Sequence, residues 1–356
     1  MKSIFDIVTP GNIISYWDAT KEDQSLYMGE TLFPVKKQMG IELSKIGGSA
    51  GLPVELKASA FDTPATYRDR LSIEVSKQKM PFYRERMKID EETRQEIVKL
   101  SAGGNADILM PFVNKIFDDT NNLIRGARVA RERMAMELIS TGKVNIIGNG
   151  VKLTYDYGFN KKKQFVAPSV NWSDTANATP LQDLQDWKDE YAKMGITLGY
   201  AIMTTATFNL IVRNKNVVKQ LYPSNTDPSG LLIRRPQIKQ LVFDSTGIQI
   251  LINDNMYATS VGGEGKKFFP DNVVTLIPTS GVLGNMIFGT TPEEIDLRAN
   301  RNFNGSTEIV DTGVAVTNLV IPHPVNIETV VSQICLPSFN TDMAGGAGQI
   351  LIANVA

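Results

Sequence analysis

Histidine and cysteine are almost absent from this chain of 356 residues, which has one of each. The single cysteine, Cys335, excludes an internal disulfide framework. His323 lies between two prolines and is the one imidazole that a Ser-His-Asp or Cys-His site could use. A zinc site would have at most one imidazole and one thiolate, completed by carboxylates. We interpret His323 as a turn residue and Cys335 as a small buried apolar residue.

An excess of either charge and a long apolar run are also missing. The formal net charge is −1 and the pI is near 6.0, whereas a dedicated nucleic-acid reader usually carries a clear basic excess. No apolar run approaches the roughly 20 residues that span a bilayer, and the start lacks the apolar core and cleavage site of a signal peptide. We therefore expect an intracellular place of synthesis and no membrane partner.

Two glycine-containing stretches resemble phosphate-binding motifs but lack residues that these motifs require. Residues 264–278, EGKKFFPDNVVTLIP, contain a Gly-Lys pair. A P-loop would need glycine where Ser260 stands and Ser or Thr where Lys267 stands, so we predict a turn and a buried strand here instead. Residues 148–153, GNGVKL, lack the third glycine of a dinucleotide fingerprint.

Acidic pairs offer no catalytic spacing either. Asp118-Asp119 lie within a predicted helix without partner carboxylates, and Glu91-Glu92 and Glu293-Glu294 are interpreted as ordinary surface. No His-Glu-x-x-His, Cys-x-x-Cys or calcium-loop pattern occurs. We predict no catalytic, cofactor-binding or metal-binding residues, and no cofactor.

The apolar spacing predicts an α+β chain rather than a doubly wound sheet. Residues 41–80 hold alternating strand-like segments with too few apolar residues for a core of their own, and a two-stranded arm is unstable alone in water. Residues 107–140 carry one apolar helical stripe, with Pro111 in the first turn. Thirty such residues would span roughly 45 Å, which is long for a compact domain.

Further elements are predicted on both sides of this helix. Thr9 or Asn12 would cap a first helix, and Asn149-Gly150 would join a hairpin. Thr179 and Gln182 form a predicted capping box before a helix that ends at Gly195. The remaining predictions are a strand in ITLGYAIMT (196–204), a helix from Thr205, strands in LLIRRPQIKQLVF (231–243), IQILINDNMY (248–257) and NVVTLIP (272–278), and a closing hairpin from NIETVVSQICL (326–336) and QILIANVA (349–356).

Residues 264–278, with their lysines, FFPDN and apolar strand, resemble a stretch of lambda-type major capsid proteins, the major capsid protein E family. ETLFPVKKQMGIELSKIGG (30–48) resembles that family's early aromatic-proline segment, and EVSKQKMPFYRERMKIDEE (74–92) resembles the strand that returns toward its long helix. The Arg/Glu-rich helix at 125–139 and the closing strands also correspond. The order and spacing of these stretches over most of the chain carry the resemblance.

The resemblance implies the HK97-like capsid fold. Its parts would be an N-terminal arm (1–38), an extended β-loop (39–82), a peripheral domain (83–178) with a spine helix (107–140), an axial domain (179–322), and C-terminal strands returning to the peripheral domain (323–356).

The implied function is that of the major capsid protein of a tailed double-stranded DNA phage, which is not an enzyme. It would self-assemble into hexamers and pentamers of an icosahedral head, in the virion capsid after assembly in the host cytoplasm. The implied partners are its own copies, the portal and non-specifically held DNA, with a decoration protein left open. Because the chain starts almost at the arm, we expect a separate scaffolding protein rather than a fused, cleaved one.

Four arginines lie on the long helix: Arg125, Arg128, Arg131 and Arg133. A solvated face and phosphate contacts are the alternatives, and our hypothesis is that they form ion pairs within or between subunits. Three rival functions also stay open at this point. They are an encapsulin-type compartment, a hydrolase that uses carboxylates alone, and a tail or receptor-binding protein, against which the long helix argues.

Overall fold

Two hydrophobic cores organise the chain, each beside its own sheet. The computed structural model describes residues 8–21, 27–48, 73–89, 91–102, 106–148, 150–161, 163–222, 234–298, 304–323, 325–339 and 349–356. The middle of the predicted extended β-loop (49–72) and most of the predicted glycine-rich tail turn (343–349) lie outside these ranges.

The helices within the described ranges are short except for one. They are Pro10–Lys21 (α1), Met28–Leu32 (α2), Glu91–Ala102 (α3), Ala106–Thr141 (α4), Pro180–Lys193 (α5), Thr205–Val212 (α6), Lys215–Leu221 (α7) and Arg235–Thr246 (α8), with a π-helical turn at Glu293–Leu297.

The strands form two larger sheets and three two-stranded ones. They are Val35–Lys37 (β1), Glu42–Gly48 (β2), Ile73–Lys79 (β3), Phe82–Ile89 (β4), Lys143–Gly148 (β5), Val151–Asp156 (β6), Phe165–Val166 (β7), Leu198–Met203 (β8), Gln249–Ile252 (β9), Met256–Ala258 (β10), Gly265–Lys267 (β11), Val273–Pro278 (β12), Gly284–Phe288 (β13), Gly305–Val310 (β14), Val314–Pro322 (β15), Val325–Phe339 (β16) and Leu351–Asn354 (β17).

The six-stranded sheet is built on β16, which has 15 residues. One edge of β16 pairs with β15, and β14 follows β15. The other edge pairs with β4 along Ile327–Ile334 and then with β13 from Cys335 onward. The long helix α4 packs on this sheet, where the Gln333 side chain on β16 donates to the Ala127 carbonyl at 2.9 Å. The first core therefore lies between α4 and β16.

The long helix has 36 residues, so it extends about 54 Å. It begins and ends within one residue of the predicted bounds. Its predicted apolar stripe is buried at Ile116, Ala127, Met134 and Leu138. Pro111 differs from the prediction: it lies inside the helix rather than in the first turn, because the helix starts at Ala106.

The five-stranded sheet runs in the order β7-β17-β12-β8-β9, and helices α5 to α8 supply apolar side chains to its core. The end of α4 contacts this sheet, since the Thr275 hydroxyl on β12 donates to the Ile139 carbonyl at 2.8 Å. One helix thereby joins both sheets.

Two strand predictions are wrong. A strand is predicted in 231–243, but residues 235–246 form α8, because Ile238 and Val242 are one helical turn apart, proline stands in the first turn, and Gly247 ends the helix with φ 67°. The predicted closing hairpin does not form either. β16 belongs to the six-stranded sheet, whereas β17 pairs with β12 and β7 in the five-stranded sheet, so the two C-terminal strands lie in different sheets.

Helix ends were predicted with mixed success. The amide of Asn12 donates to the Thr9 hydroxyl at 3.2 Å, which confirms Thr9 as a cap. The start of α5 at Pro180 and the positive φ of Gly195, 79°, are as expected. The predicted capping box is wrong, because Thr179 makes no side-chain cap and the Gln182 amide donates to Asp186 instead.

Gly284 lies where two backbones of the six-stranded sheet approach closely. A Cβ at this position would stand 1.9 Å from the Ser338 carbonyl oxygen on the paired strand. We expect Gly284→Ala to lower the free energy of unfolding by about 1–3 kcal/mol, because the backbone has to shift. Gly126→Ala is the control: its Cβ meets nothing within 4 Å on α4, so it should stabilise the chain by about 0.5–1 kcal/mol. Urea denaturation of both variants measures the contrast.

Candidate functional site: the charged face of the long helix

The single histidine and the single cysteine lie in different surroundings. His323 is exposed in the turn after β15. Cys335 is fully buried in β16, and burial raises the pKa of its thiol to about 12, so the thiolate needed for reaction is scarce at neutral pH. Within the described ranges, no group of three or more His, Cys, Asp and Glu side chains could hold a metal ion.

Residues 264–278 form the predicted turn and strand. The Lys267 ammonium contacts both Asp271 carboxylate oxygens at 2.8 Å, and the Thr204 hydroxyl donates to Asp271 at 2.6 Å. Asn272 takes the left-handed conformation, φ 62°, immediately before β12. Lys267 is therefore engaged by its own turn and is not part of a phosphate-binding loop.

Arg128 ties the N-terminal segment to the long helix. Its guanidinium makes two hydrogen bonds to the Glu30 carboxylate, at 2.9 and 2.8 Å, and lies 5.4 Å from the centre of the Tyr27 ring. Only 5% of the Arg128 side chain is exposed. The hydrogen bond with Glu30 raises the pKa of Arg128 above its ordinary value, so the charge is permanent and held inside the protein.

Arg131 lies one turn further along and connects α4 to the six-stranded sheet. It donates to the Gln333 side-chain oxygen at 3.1 Å, lies 3.5 Å from the Asp311 carboxylate, and stacks 5.3 Å from the centre of the Phe288 ring. Glu30 is 3.9 Å away, so Arg131 shares that carboxylate with Arg128. The two arginines thus join the arm, the helix and the sheet.

The other two arginines differ from each other. Arg133 pairs with Glu137 at 2.9 Å on the same helix and donates to the Asn145 carbonyl at 2.9 Å. Arg125 is exposed. Ion pairing within the chain is confirmed for Arg128, Arg131 and Arg133, and the alternative of a solvated face fits Arg125.

Glu132 is buried between these arginines, with 1% exposed. One carboxylate oxygen accepts the Gly29 amide at 2.7 Å, and the other has no hydrogen-bond partner in the described part of the chain. Burial raises the pKa of Glu132 to about 7, although the Gly29 amide and the Asn253 side chain oppose this rise. A Cβ at position 29 would lie 2.4 Å from the Glu132 oxygen, so only glycine allows this contact.

The prediction that Glu293-Glu294 is ordinary surface is wrong. Glu293 is 5% exposed and pairs with Arg84 on β4 at 2.7 Å. Glu294 pairs with Lys37 on β1 at 2.5 Å. The π-helical turn that carries both carboxylates is therefore fixed to the six-stranded sheet.

Sequence reasoning identified the arginines but not their partners. Glu30, Asp311 and Gln333 lie roughly 100 to 200 residues away along the chain, at 98 residues for Arg128–Glu30 and 202 for Arg131–Gln333. No local spacing rule reaches that far. The sequence did indicate that these side chains are buried, because Arg128, Arg131 and Glu132 lie on the helix face that also carries buried apolar residues.

The arm, the long helix and the sheet are thus joined by a buried charge cluster, in a chain without a recognisable catalytic site in its described part. The sequence model of phage major capsid protein E matches residues 19–341. The chain belongs to this family. Membership makes it the major capsid protein of a tailed phage, as the resemblance implied. Among curated proteins, none matches the sequence significantly.

Solved structures agree with the family in fold. A prophage capsid protein of Escherichia coli CFT073 is 13% identical, with 98% of this chain and 99% of that chain covered and a TM-score of 0.61. A phage-related protein of Bordetella bronchiseptica RB50 is 13% identical, with 98% and 97% covered and a TM-score of 0.50. The capsid asymmetric unit of cyanophage A-1(L) is 13% identical, with 93% of this chain and 94% of that chain covered and a TM-score of 0.51. The fold is the HK97-like capsid fold.

Among the described helices, none combines the length and the apolar composition of a membrane span. The capsid chain matches these structures over nearly its whole length, so both sheets and the long helix belong to the shared fold.

Proposed function

We propose that this capsid protein assembles into hexamers and pentamers of a closed icosahedral head that encloses the phage genome. The observation that carries the proposal is the β2–β3 hairpin. It pairs Glu42–Gly48 with Ile73–Lys79, and no third strand joins it among the residues the structure describes. An isolated two-stranded ribbon is marginal in water, so the hairpin needs a surface that a neighbouring copy can supply.

The base of the hairpin supports this role. Leu43 and Met80 are buried, and the Met80 amide donates to the Ile41 carbonyl at 2.9 Å. The hairpin therefore leaves the first core from a fixed point. A hairpin that is anchored at its base and has no third strand beside it could extend to the next subunit and pack there.

The proposed division into domains starts from the segments of the capsid fold. We assign residues 1–38 to an arm, 39–82 to an extended β-loop, 83–178 to a peripheral domain and 179–322 to an axial domain. Strand pairing supports three changes to these bounds. Strands β13, β14 and β15 belong to the sheet of β16, so they go with the peripheral domain together with β16. Strand β17 pairs with β12 and β7, so β17 and β7 go with the axial domain.

The remaining parts of the proposal follow from charge and composition. With a net charge of −1, copies do not repel one another strongly, and the wall holds DNA only weakly. We propose a separate scaffolding protein, the portal and non-specific DNA as partners, assembly in the host cytoplasm, and no catalytic activity. Closed point-group symmetry lets many modest contacts define one particle size.

Expression of the chain together with its neighbouring genes tests the proposal. Negative-stain microscopy should show closed shells of uniform size. A compact, monodisperse monomer at high concentration, even with a scaffold present, would refute it. Neighbouring genes for a cargo enzyme, without phage structural genes, would favour the nanocompartment alternative, and a glycosidase would show turnover without particles.

The hairpin itself gives a sharper prediction. In Lys45→Pro, proline removes a backbone donor from β2, opposite Ser76 on β3, and cannot keep a regular ladder. We expect the yield of closed shells to fall by about tenfold or more, while the melting temperature of the unassembled subunit changes little. Lys45→Ala is the matched control and should assemble. Equal shell yields from the two variants would show that the ribbon is not an assembly element.

A further inference from the structure

Exposed charges of opposite sign are separated on the helices around the five-stranded sheet. Asp186, Asp189 and Glu190 are exposed on one face of α5 and form an acidic stripe, which ends at the exposed Lys193 in the last turn. They lie on the face opposite the buried side chains Leu184 and Trp187. The stripe therefore points away from the core of its own unit.

A basic patch occupies the other helices of the same unit. Residues 205–246 carry two acidic side chains, Asp227 and Asp244, against six basic ones. The basic patch consists of the five that are exposed, Arg213, Lys215, Lys219, Arg234 and Arg235. The sixth, Lys239, is half-buried with its amine 5.9 Å from the Phe208 ring centre. In a chain of net charge −1, such separation places two complementary surfaces on one unit.

Neither surface is neutralised by its own chain within the described ranges. None of the ion pairs found there includes a member of the stripe or the patch. Asp186 and Asp189 accept the side-chain amides of Gln182 and Gln185 at 2.7 and 2.9 Å, and Arg235 donates to the Asn209 side chain at 3.2 Å, so these contacts involve neutral groups. Lys188, beside the stripe, donates to the Thr246 carbonyl. The charges are therefore available to a partner.

Local helix stability does not explain where these charges stand. Glu190 is in the last turn of α5, where the negative end of the helix dipole disfavours a carboxylate. Arg234 and Arg235 cap and begin α8, where the positive end disfavours cations. Each placement costs about 0.3–1 kcal/mol of helix stability, which a contact with an opposite charge outside the helix would offset.

We propose that the acidic stripe of one copy binds the basic patch of the next copy in a head-to-tail contact. This inference rests on the proposed shell function and names the surfaces through which axial domains meet. A contact between two different patches repeats around a rotation axis and closes into a ring. Packaged DNA as the partner would account for the patch alone and leaves the stripe without a role. A second copy accounts for both.

Charge reversal tests the contact in both directions. Asp186→Lys/Glu190→Lys reverses the stripe, Arg234→Glu/Arg235→Glu reverses the patch, and a third chain carries all four changes. We expect each double variant to lower the yield of closed shells by about tenfold, because two exposed pairs are lost at every contact. The chain with all four changes should recover to within about twofold of wild type, since opposite charges meet again. Glu92→Lys/Glu96→Lys, at the same spacing on α3, is the control and should assemble.

The variants are chosen so that misfolding does not imitate the result. Reversal moves charge in the direction that the helix dipoles favour at Glu190, Arg234 and Arg235, so the melting temperature of the unassembled subunit should not fall. As a second measure, Asp186→Asn/Glu190→Gln should weaken the dependence of assembly rate on salt, because exposed pairs are screened by ions.

Four results would overturn the inference. They are normal shells from either reversal, failure of the four-change chain to recover, an unchanged salt dependence in the neutral variant, or normal empty shells with reduced DNA content from the patch reversal alone. The last result would assign the patch to DNA. Absence of shells from the wild-type chain would instead contradict the proposed function, so the two failures are distinguishable.

Discussion

Reversing Arg128 and Arg131 to glutamate should abolish shell formation by unfolding the junction between the arm, the long helix and the six-stranded sheet. Both side chains are 5% exposed and contact Glu30, and Arg131 also faces Asp311. The change replaces two cations with two anions among existing carboxylates. A buried charge without a partner costs several kcal/mol. The free-energy cost of the two changes together is therefore comparable to the whole stability of an ordinary domain, about 5–15 kcal/mol.

A milder variant gives a measurable number. Arg131→Met keeps the length of the side chain but removes the donor to Gln333 and the cation beside Asp311. We expect the free energy of unfolding to fall by about 3–5 kcal/mol, as when one partner of a buried pair is deleted. Arg125→Met is the matched control on the exposed side of the same helix and should change the free energy by less than about 0.5 kcal/mol.

The outcome separates structural from DNA-binding arginines. If Arg128→Glu/Arg131→Glu yields normal shells with only a packaging defect, the arginines face the genome and the buried cluster is wrong. Denaturant unfolding of the unassembled subunit, compared with particle yield, distinguishes the two.

Features set by local spacing could be predicted from the sequence. The long helix was placed within a residue at each end because its stripe repeats over many turns and averages out local exceptions such as Pro111. The turn at Pro270–Asn272 was predicted because proline fixes φ and Asn tolerates the left-handed region. Each of these signals lies within a few residues of the element it determines.

Features set by tertiary context could not be predicted. Residues 235–246 contain Ile238, Leu241, Val242 and Phe243, a composition that suits a buried strand as well as a helix, and packing in the second core decided for the helix. The pairing of β17 with β12 rather than β16 depends on a partner 77 residues earlier at Thr275↔Ile352, not on either strand's own pattern. The same holds for the charge cluster, whose carboxylates come from the arm and from the sheet.

The buried cluster has a consequence for the arm. Gly29 has to be glycine for α2 to approach Glu132, and Glu30 has to face Arg128 at the same time. The arm is therefore held by two kinds of contact. One is the packing of its apolar residues Leu32 and Phe33, and the other is a set of polar contacts that depend on the protonation state of the carboxyl groups. Its attachment should respond to pH at one identifiable group.

That group is Glu132, and replacing it with glutamine should change the pH dependence of stability. Burial raises the pKa of Glu132 from 4.5 to about 7 in the folded chain, so folding takes up a proton between these values. The stabilisation from proton uptake is fully present below about pH 4.5 and is lost as pH rises through 7. The groups that face Glu132 do not reverse this: Glu30 raises its pKa further, while Arg128, Asn253 and the Gly29 amide lower it.

The expected size follows from the shift. A rise from 4.5 to about 7 corresponds to about 3 kcal/mol. Wild type should therefore lose about 3 kcal/mol relative to Glu132→Gln between pH 4.5 and pH 8. Glutamine keeps an oxygen that can accept the Gly29 amide and carries no charge, so the variant should match wild type in acid and exceed it in base. Urea denaturation of both subunits across this range measures the difference, and parallel curves would show that Glu132 does not titrate on folding.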